Sequence, residues 1–576
     1  MQKPRKQSPA RKKRRALVLG GGISGLGVAI LLARRGWSVR VLERDHRPPV
    51  ATPEDAFRFW RRPGLPQFRH SHTFLARLTA VLREHFPEVL TALRAAGTIE
   101  IPLTIGTPPS LDLGPREKGD GELVLLGARR AAFEWALLEV ARSRPEIEIT
   151  EGVYCEDLLH EPGPRGQPPQ IVGARIRSLP ALSTAGDDGQ IPWKSGGTPR
   201  AQGRARQIRA DLVIDATGRR SNADRWLSAI GVDAPEEERI PTGIYYFTRF
   251  YRLTGSRPPG GSTGLVAGDV GWLKLATFPG DGDTFSITVG ANIDDRPFRA
   301  LSDPKVFEAL ITSFPQIAVW RAHGVSQPID GADTPVLVMG GLENLKRRFD
   351  KDGVPLVRGF VAVGDSLYHS NPIYGRGVTS GMLAVTLLDQ ALNAHPGEID
   401  AAIATYHARA RVEVEPFWRH AAASDRMSQA MRENRNREDD PSDLWSWAWS
   451  WVSDPTARVT ELSSRAAKTF LEQGFGPALR EDGQVYRAAM RVMNMLDMPQ
   501  DGLLSANVLS RAVPYLVRSL VWPPHEQAFP GPTRTEALAL IEKMENEGEK
   551  PARPRKTQPR SKSTRLRPDS EVAGHA

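Results

Sequence analysis

The chain has 576 residues, 40% of them hydrophobic and 25% charged, with a formal net charge of +10 and one cysteine, Cys155. This is the composition of a globular protein long enough for more than one domain. One cysteine excludes an intramolecular disulfide and a cysteine metal cluster, and no stretch approaches the ~18 consecutive apolar residues of a membrane span.

Residues 1–15 carry eight lysines and arginines and no acid, and so do residues 550–567; removing these sixteen charges leaves the body at about −6. Such composition predicts disordered tails over 1–13 and most of 526–576. Tails of this kind can adhere to nucleic acid or to an anionic membrane surface, but here they read as solubilising ends, with nucleic acid not expected as a partner. Arg14-Arg15 ahead of an apolar run has the form of a twin-arginine export signal. That run is instead the first strand of the fold, which predicts a cytoplasmic protein.

Ala16–Leu19 is short, apolar and bounded by glycine, as a buried parallel strand would be. Gly20-Gly21-Gly22-Ile23-Ser24-Gly25 follows and supplies G-x-G-x-x-G, then a helix to Arg35-Gly36, then a strand ending on Glu43 and Arg44. In this pattern Gly20 makes a tight turn, Gly22 lets the backbone approach a pyrophosphate, and Gly25 lets helix and strand pack closely. The helix start offers free N–H groups to phosphates, and Glu43, 23 residues after Gly20, can take ribose hydroxyls.

Further along, helices are predicted over 74–86 and 87–96, a strand over 123–126, a helix over 130–141 and one strand over 147–154. Cys155 reads as a packed thiol. Residues 160–208 are dense in Pro, Gly, Gln and Ser, which predicts a hairpin strand at 171–176 and a flexible insertion over about 179–205. Ala210–Gly218 is a buried strand entering a glycine turn. Alternation from 243 to 293 predicts antiparallel strands, with a helix near 304–314. Phe360–Asp365 and then Asn371–Val378 form a third glycine-bearing strand end; a helix to about 392 and a mostly helical stretch over 400–522 follow.

Three such strand ends exceed one mononucleotide half-site. Gly364-Asp365 can set a carboxylate against a polyol chain, and Pro372-x-x-Gly375-x-Gly377 opening a helix can face an anion such as a reduced flavin ring. The set points to FAD rather than NAD. Taken in order, these motifs with Ala216-Thr217-Gly218 resemble the p-hydroxybenzoate hydroxylase-like FAD-dependent monooxygenases. Gly64-Leu65-Pro66-Gln67-x-x-His70-x-His72, Arg130 ahead of Trp135, Ile214-Asp215-Ala216-Thr217-Gly218-Arg219, and Asn371–Gly375 resemble more narrowly the actinomycete polyether epoxidases, such as those for lasalocid and monensin.

The resemblance implies an α/β fold: a discontinuous Rossmann-type FAD-binding domain (14–240 and 341–398), an antiparallel-sheet substrate domain (241–340) and a helical C-terminal region (399–525). It implies non-covalent FAD held by Gly20, Gly22, Ile23, Ser24, Gly25, Glu43, Arg44, Arg130, Gly218, Gly364, Asp365, Pro372, Gly375 and Gly377. His70, His72 and Tyr374 are the expected contacts to flavin or substrate; loop histidines held by ordinary hydrogen bonds are the other reading of His70 and His72, and no metal is expected. It further implies oxygen transfer from a flavin C4a-hydroperoxide to an apolar, electron-rich small molecule, by epoxidation or hydroxylation. Thr217 stands where the hydroxylases have the Asp of Asp-Gly, so electrons come either from NADPH directly or from a separate flavin reductase. Trp445, Trp447, Trp449 and Trp451 lack the following Ile-Pro of tryptophan halogenases and read as helix packing, with peripheral membrane contact left open. Two other classes stay open: an oxygen-independent flavin reductase resembling geranylgeranyl reductases, and an FAD-bound nucleic-acid-binding protein without turnover.

Overall fold

The computed structural model describes residues 13–179, 202–433, 470–521 and 529–548, apart from 106, 108–109, 256–257, 259–264, 333 and 503–504. The expected Trp445–Trp451 helix and both basic tails, 1–12 and 549–576, lie outside these residues.

Apolar runs with no polar alternation form strands buried on both faces, as Phe360–Ala362, Leu212–Asp215 and the apolar part of Arg15–Leu19 do, whereas the edge strand Ile147–Glu151 is only half-buried. Phe360–Ala362, Leu212–Asp215, Arg15–Leu19, Ser38–Glu43 and Ile147–Glu151 lie side by side in that order as a parallel sheet. The helix Ile23–Arg34 packs on it between the helices Arg130–Arg142 and Gly377–Ala394. The approach to the last is close, since a Cβ on Gly27 would meet Met382 Sδ at 3.0 Å. The sheet is thus closed by residues far apart in the chain, as the discontinuous domain requires.

The single strand expected over 147–154 is two strands. Gly152 has φ +70°, and there the chain leaves the parallel sheet and begins Val153–Glu161 in a separate antiparallel meander with Gln170–Ser178 and Gln202–Arg209. The expected insertion is therefore shorter at its end: residues 202–205 are strand, and 180–201 lie outside the described residues.

The alternating stretch forms the antiparallel sheet Val266–Asp269, Leu273–Pro279, Thr284–Asn292, Ile244–Leu253 and Ser326–Pro328, with Leu337–Met339 also paired to Ile244–Leu253. Period-2 patterning divides its faces. Phe247, Leu273, Leu275, Phe285, Ile287 and Val289 bury against the helix Pro304–Thr312 through Phe307, Leu310 and Ile311. Thr248, Ala276, Phe278, Thr288 and Gly290 turn to the other face, where a cavity lies.

The C-terminal helices include Ile399–Glu413, Glu415–Glu433, Gly483–Met493 and Ala506–Val521. Asp482 caps the third, accepting from the backbone N–H groups of Gln484 and Val485. The expected tail from 526 is also partly structured. Arg534–Gly548 is a helix whose Ala537 and Ile541 are buried with Phe529 against the antiparallel sheet domain, with Arg534 bonded to Asp295 at 2.7 Å. Among the described residues no helix is long and apolar enough to cross a membrane.

Candidate functional site

The glycine loop takes the shape its spacing predicts, for three different reasons. Gly20 has φ +102°, and a Cβ there would lie 2.4 Å from the Ala216 carbonyl oxygen. A Cβ on Gly25 would lie 1.9 Å from the Gly20 carbonyl, so this glycine allows the helix to start against the strand. Gly22 has nothing within 4 Å of its Cβ position: its open side faces a cavity of about 1400 Å³.

That cavity collects the expected residues. Gly20, Gly22, Ile23, Ser24, Glu43 and Arg44 line one end. Arg130, Gly218, Asp365, Pro372, Gly375 and Gly377 line its walls, with His70, His72 and Tyr374. Gly25 and Gly364 are not on its surface. They shape it from behind, Gly364 with φ +63° and a Cβ position 2.4 Å from Ser24 Oγ.

Glu43 is buried and accepts from the Gly21 backbone N–H at 3.0 Å and that of Asp45 at 2.8 Å, with Arg62 at 3.2 Å. Burial alone would raise its pKa, but Arg62, Arg47 and the two backbone donors hold the carboxyl below its ordinary value. Arg62 also reaches Asp45 at 3.1 Å and Glu134 at 2.9 Å, and Glu134 in turn takes Arg130 Nε at 2.8 Å. Sequence reasoning gave Arg62 and Glu134 no role. The signals were the arginine opening Arg62-Pro63-Gly64 and the acid one helical turn after Arg130.

His70 and His72 do not share a strand face. Pro66–Arg69 is a 3₁₀ turn and the chain beyond it is irregular, so the two rings take separate partners. His70 Nδ1 meets Thr248 Oγ1 at 3.0 Å. His72 Nδ1 donates to the His70 carbonyl at 2.9 Å, leaving Nε2 toward Arg130 Nη1 at 3.4 Å. Burial pushes His70 down to about 4; burial and the Arg130 charge push His72 down to about 3. Both are neutral imidazoles at pH 7. Among the described residues no group of His, Cys, Asp and Glu is placed to hold a metal ion.

Asp365 accepts from His369 Nδ1 at 3.1 Å. Burial opposes its charge, but His369, Arg130 and Arg219 outweigh burial and keep its carboxyl below the usual value. His369 Nε2 is buried with no partner among the described residues. Gly375 sits at φ +65° in the turn before the Gly377 helix, and Tyr374 donates from its hydroxyl to Asp425 at 2.9 Å. Asp425 and His369 were not found from sequence, since neither falls in a local pattern. Thr217 donates its hydroxyl to Asp215 at 2.6 Å. Cys155 is buried, and desolvation together with Asp215 and Asp157 pushes its thiol well up, which makes it a packing group rather than a nucleophile.

The remaining wall is largely apolar. Leu103, Leu125, Ile244, Phe278, Met339 and Leu342 contribute, and Met490 and Met493 of the Gly483 helix complete it. Polar groups interrupt it, among them Gln67, Asn222, Lys274 and a hydroxyl chain in which Ser71 meets Ser286 and Thr288 at 2.6 Å each and Thr288 meets Thr248 at 2.8 Å.

Residues 15–145 match the family model described as FAD dependent oxidoreductase. The chain is 26% identical to protein Rv3254 of Mycobacterium tuberculosis over 436 residues, which is 72% of this chain and 80% of the relative. Similar solved structures include Pseudomonas aeruginosa PqsL in complex with 2-aminobenzoylacetate, at 16% identity and TM-score 0.47 over 74% of this chain and 97% of that one. The myxobacterial chondrochloren halogenase CndH is another, at 15% identity and TM-score 0.48 over 82% and 98%. The match over 15–145 supports FAD as the cofactor and an oxidoreductase enzyme. The cradle fits that group: an open glycine face, a helix start and basic side chains stand at one end of a long cavity.

Proposed function

We propose that the protein is an FAD-dependent monooxygenase that epoxidises or hydroxylates an apolar, electron-rich small molecule. One observation carries this reading: the cavity is continuous from the glycine loop to the apolar wall, at about 1400 Å³. Ligand pockets commonly measure roughly 300–1,000 Å³, so this volume suits a cofactor and a second molecule together.

Bound FAD would supply hydride acceptance and dioxygen activation. Gly20, Gly22, Ile23 and Ser24 would hold its pyrophosphate, Glu43 and Arg44 its adenosine ribose, and Asp365 its ribitol. Gly218, Pro372, Gly375 and Gly377 would line the rest of it. Arg130, fixed by Glu134, offers a cation to the phosphates or the ring edge. Glu43 and Asp365 are carboxylates at neutral pH and would accept hydrogen bonds from hydroxyl groups while staying ionised. His70 and His72 meet the bound molecules as neutral hydrogen-bonding groups. The apolar wall keeps water from the reacting space, where fixed dipoles then act more strongly.

The expected preparation is yellow, and acid precipitation releases all of its flavin. With a flavin reductase, NADPH and labelled dioxygen, the protein is expected to place one labelled oxygen atom in an alkene or arene product. Conversion of the same alkenes without oxygen, with loss of the double bond, would move it to the reductase class. Salt-sensitive nucleic-acid affinity with no turnover would leave FAD as a structural element.

A further inference from the structure

The segment 368–376 runs between Asp365 and the Gly377 helix, and it carries Pro372, Tyr374 and Gly375 on the cavity wall. The helix Glu415–Glu433 is fastened to this segment along much of its length. Glu415 accepts from the Tyr368 hydroxyl at 3.2 Å. The Trp418 indole N–H donates to the His369 carbonyl at 3.1 Å. Arg376 donates to the Phe417 carbonyl at 3.2 Å and to His420 Nδ1 at 3.1 Å. Asp425 then accepts from Asn371 Nδ2 at 3.0 Å, from the Tyr374 hydroxyl at 2.9 Å, and from Asn344 Nδ2 of the neighbouring strand at 2.7 Å.

Asn371 is the pivot of this arrangement. Fully buried, it accepts at Oδ1 from the Ile373 backbone N–H at 3.2 Å and from the Tyr246 hydroxyl, and so caps the turn that leads to Gly375. Its amide nitrogen is held by Asp425, and its backbone N–H donates to Asn344 Oδ1 at 2.8 Å. Three donors from Asn371, Asn344 and Tyr374 converge on the Asp425 carboxyl oxygens, so Asp425 fixes which way Asn371 faces and where Tyr374 stands. An amide in its place would either set a donor against the Asn371 and Asn344 amide groups or reverse the Tyr374 hydrogen bond, its hydroxyl turning from donor to acceptor.

We infer that Asp425 is a positioning residue for the flavin: it acts through Asn371 and Tyr374 to fix the Pro372–Gly375 turn against the ring of bound FAD. This rests on the cofactor reading above. The glycine loop at 20–25 is on other elements and is untouched by a change at 425, so holding the ring and holding the pyrophosphate separate in a variant.

The test compares wild type with Asp425→Asn and Asp425→Glu as FAD-loaded, full-length proteins. The readouts are the visible absorption and circular dichroism of the bound flavin, its midpoint potential, and FAD occupancy. Asp425→Asn is expected to keep its flavin while the visible band and potential shift, and Asp425→Glu to return both part of the way. A residue that merely supports the fold would lower the melting temperature and leave the spectrum and potential of the folded holoprotein alone; that outcome overturns the inference. Where Asp425→Asn does not fold, Tyr374→Phe removes one donor from the same carboxylate and must show a spectral shift, and its absence likewise overturns it. A wild type without flavin would overturn the cofactor reading, whereas a yellow wild type with unshifted variants overturns this inference alone.

Discussion

Two glycines five or fewer residues apart can be essential for opposite reasons, and the loop at 20–25 separates them. Gly22 has an ordinary extended backbone, φ −78° and ψ −170°, and its Cβ position is empty. Gly22→Val is therefore expected to leave the melting temperature of the flavin-free protein unchanged while abolishing FAD uptake, measured by absorbance and calorimetry. Gly25→Ala would meet the Gly20 carbonyl at 1.9 Å, and is expected to cost stability directly, about 1–3 kcal/mol by the usual scale of overpacking. A flavin-replete Gly22→Val protein would remove the assigned role of the loop.

Buried histidines set a second expectation at this scale. His70, His407, His72 and His420 are held neutral, chiefly by burial, the first two near 4 and the others near 3. The unfolded chain binds protons on these rings below about 6.5 and the folded chain does not. Stability is thus fully present above pH 6.5 and falls as pH drops toward 4, by at most about 1.4 kcal/mol per pH unit for each ring. Glu43 and Asp365, whose carboxyls are held low, add to the loss at still lower pH as they become protonated. Thermal melts from pH 7.5 to 4.5 should show a steady fall, reduced by His72→Gln if that ring is a main contributor. A flat profile would contradict it.

At the scale of elements, patterned segments were legible and silent ones were not. The loop at 20–25, the strands at 245–251 and 284–289 and the helix after Gly377 follow from periodicity and turn residues. Gly152 was passed over because a strand pattern continues through it, while its positive φ moves the chain between two sheets. Arg534–Gly548 was hidden by its four glutamates and its place beside the basic end of the chain; Ala537 and Ile541, one turn apart, hold it down with Leu538 and Met544. Asp425 was illegible for a different reason: it takes hydrogen bonds from residues as distant as 344, 371 and 374, and nothing nearby in sequence marks it. The helix at 534–548 has a measurable consequence. Ending the chain at 548 is expected to leave flavin content and melting temperature unchanged, whereas ending it at 525 should uncover Phe314 and its neighbours, raise binding of an apolar dye and lower the melting temperature.

For the whole molecule, the cavity wall draws on residues from Leu19 to Asn494, so cofactor and substrate would be enclosed by three parts of the chain at once. The electron supply follows from what that enclosure offers. Thr217 turns its hydroxyl to Asp215, and no carboxylate stands at position 217 to help orient a nicotinamide. Hydride transfer needs reacting atoms within about 3–3.5 Å and well aligned. Anaerobic stopped-flow is expected to show slow flavin bleaching by NADPH alone and much faster turnover with a separate flavin reductase. Fast, saturable bleaching by NADPH would place the protein with self-sufficient hydroxylases.

The order of strands in the parallel sheet also governs how the molecule is made. Leu212–Asp215 pairs with Arg15–Leu19 on one side and with Phe360–Ala362 on the other. During translation, at roughly 5–20 residues per second, the first strand and its glycine turn leave the ribosome on the order of tens of seconds before the last strand exists. Through that interval the nascent sheet has an open apolar edge, which is a template for aggregation, and the Asp365 end of the cradle has not yet been synthesised. FAD can therefore meet its whole cradle only after the chain has been made past Gly377. Slowing translation or raising chaperone levels should change the yield of soluble protein more than adding riboflavin to the culture.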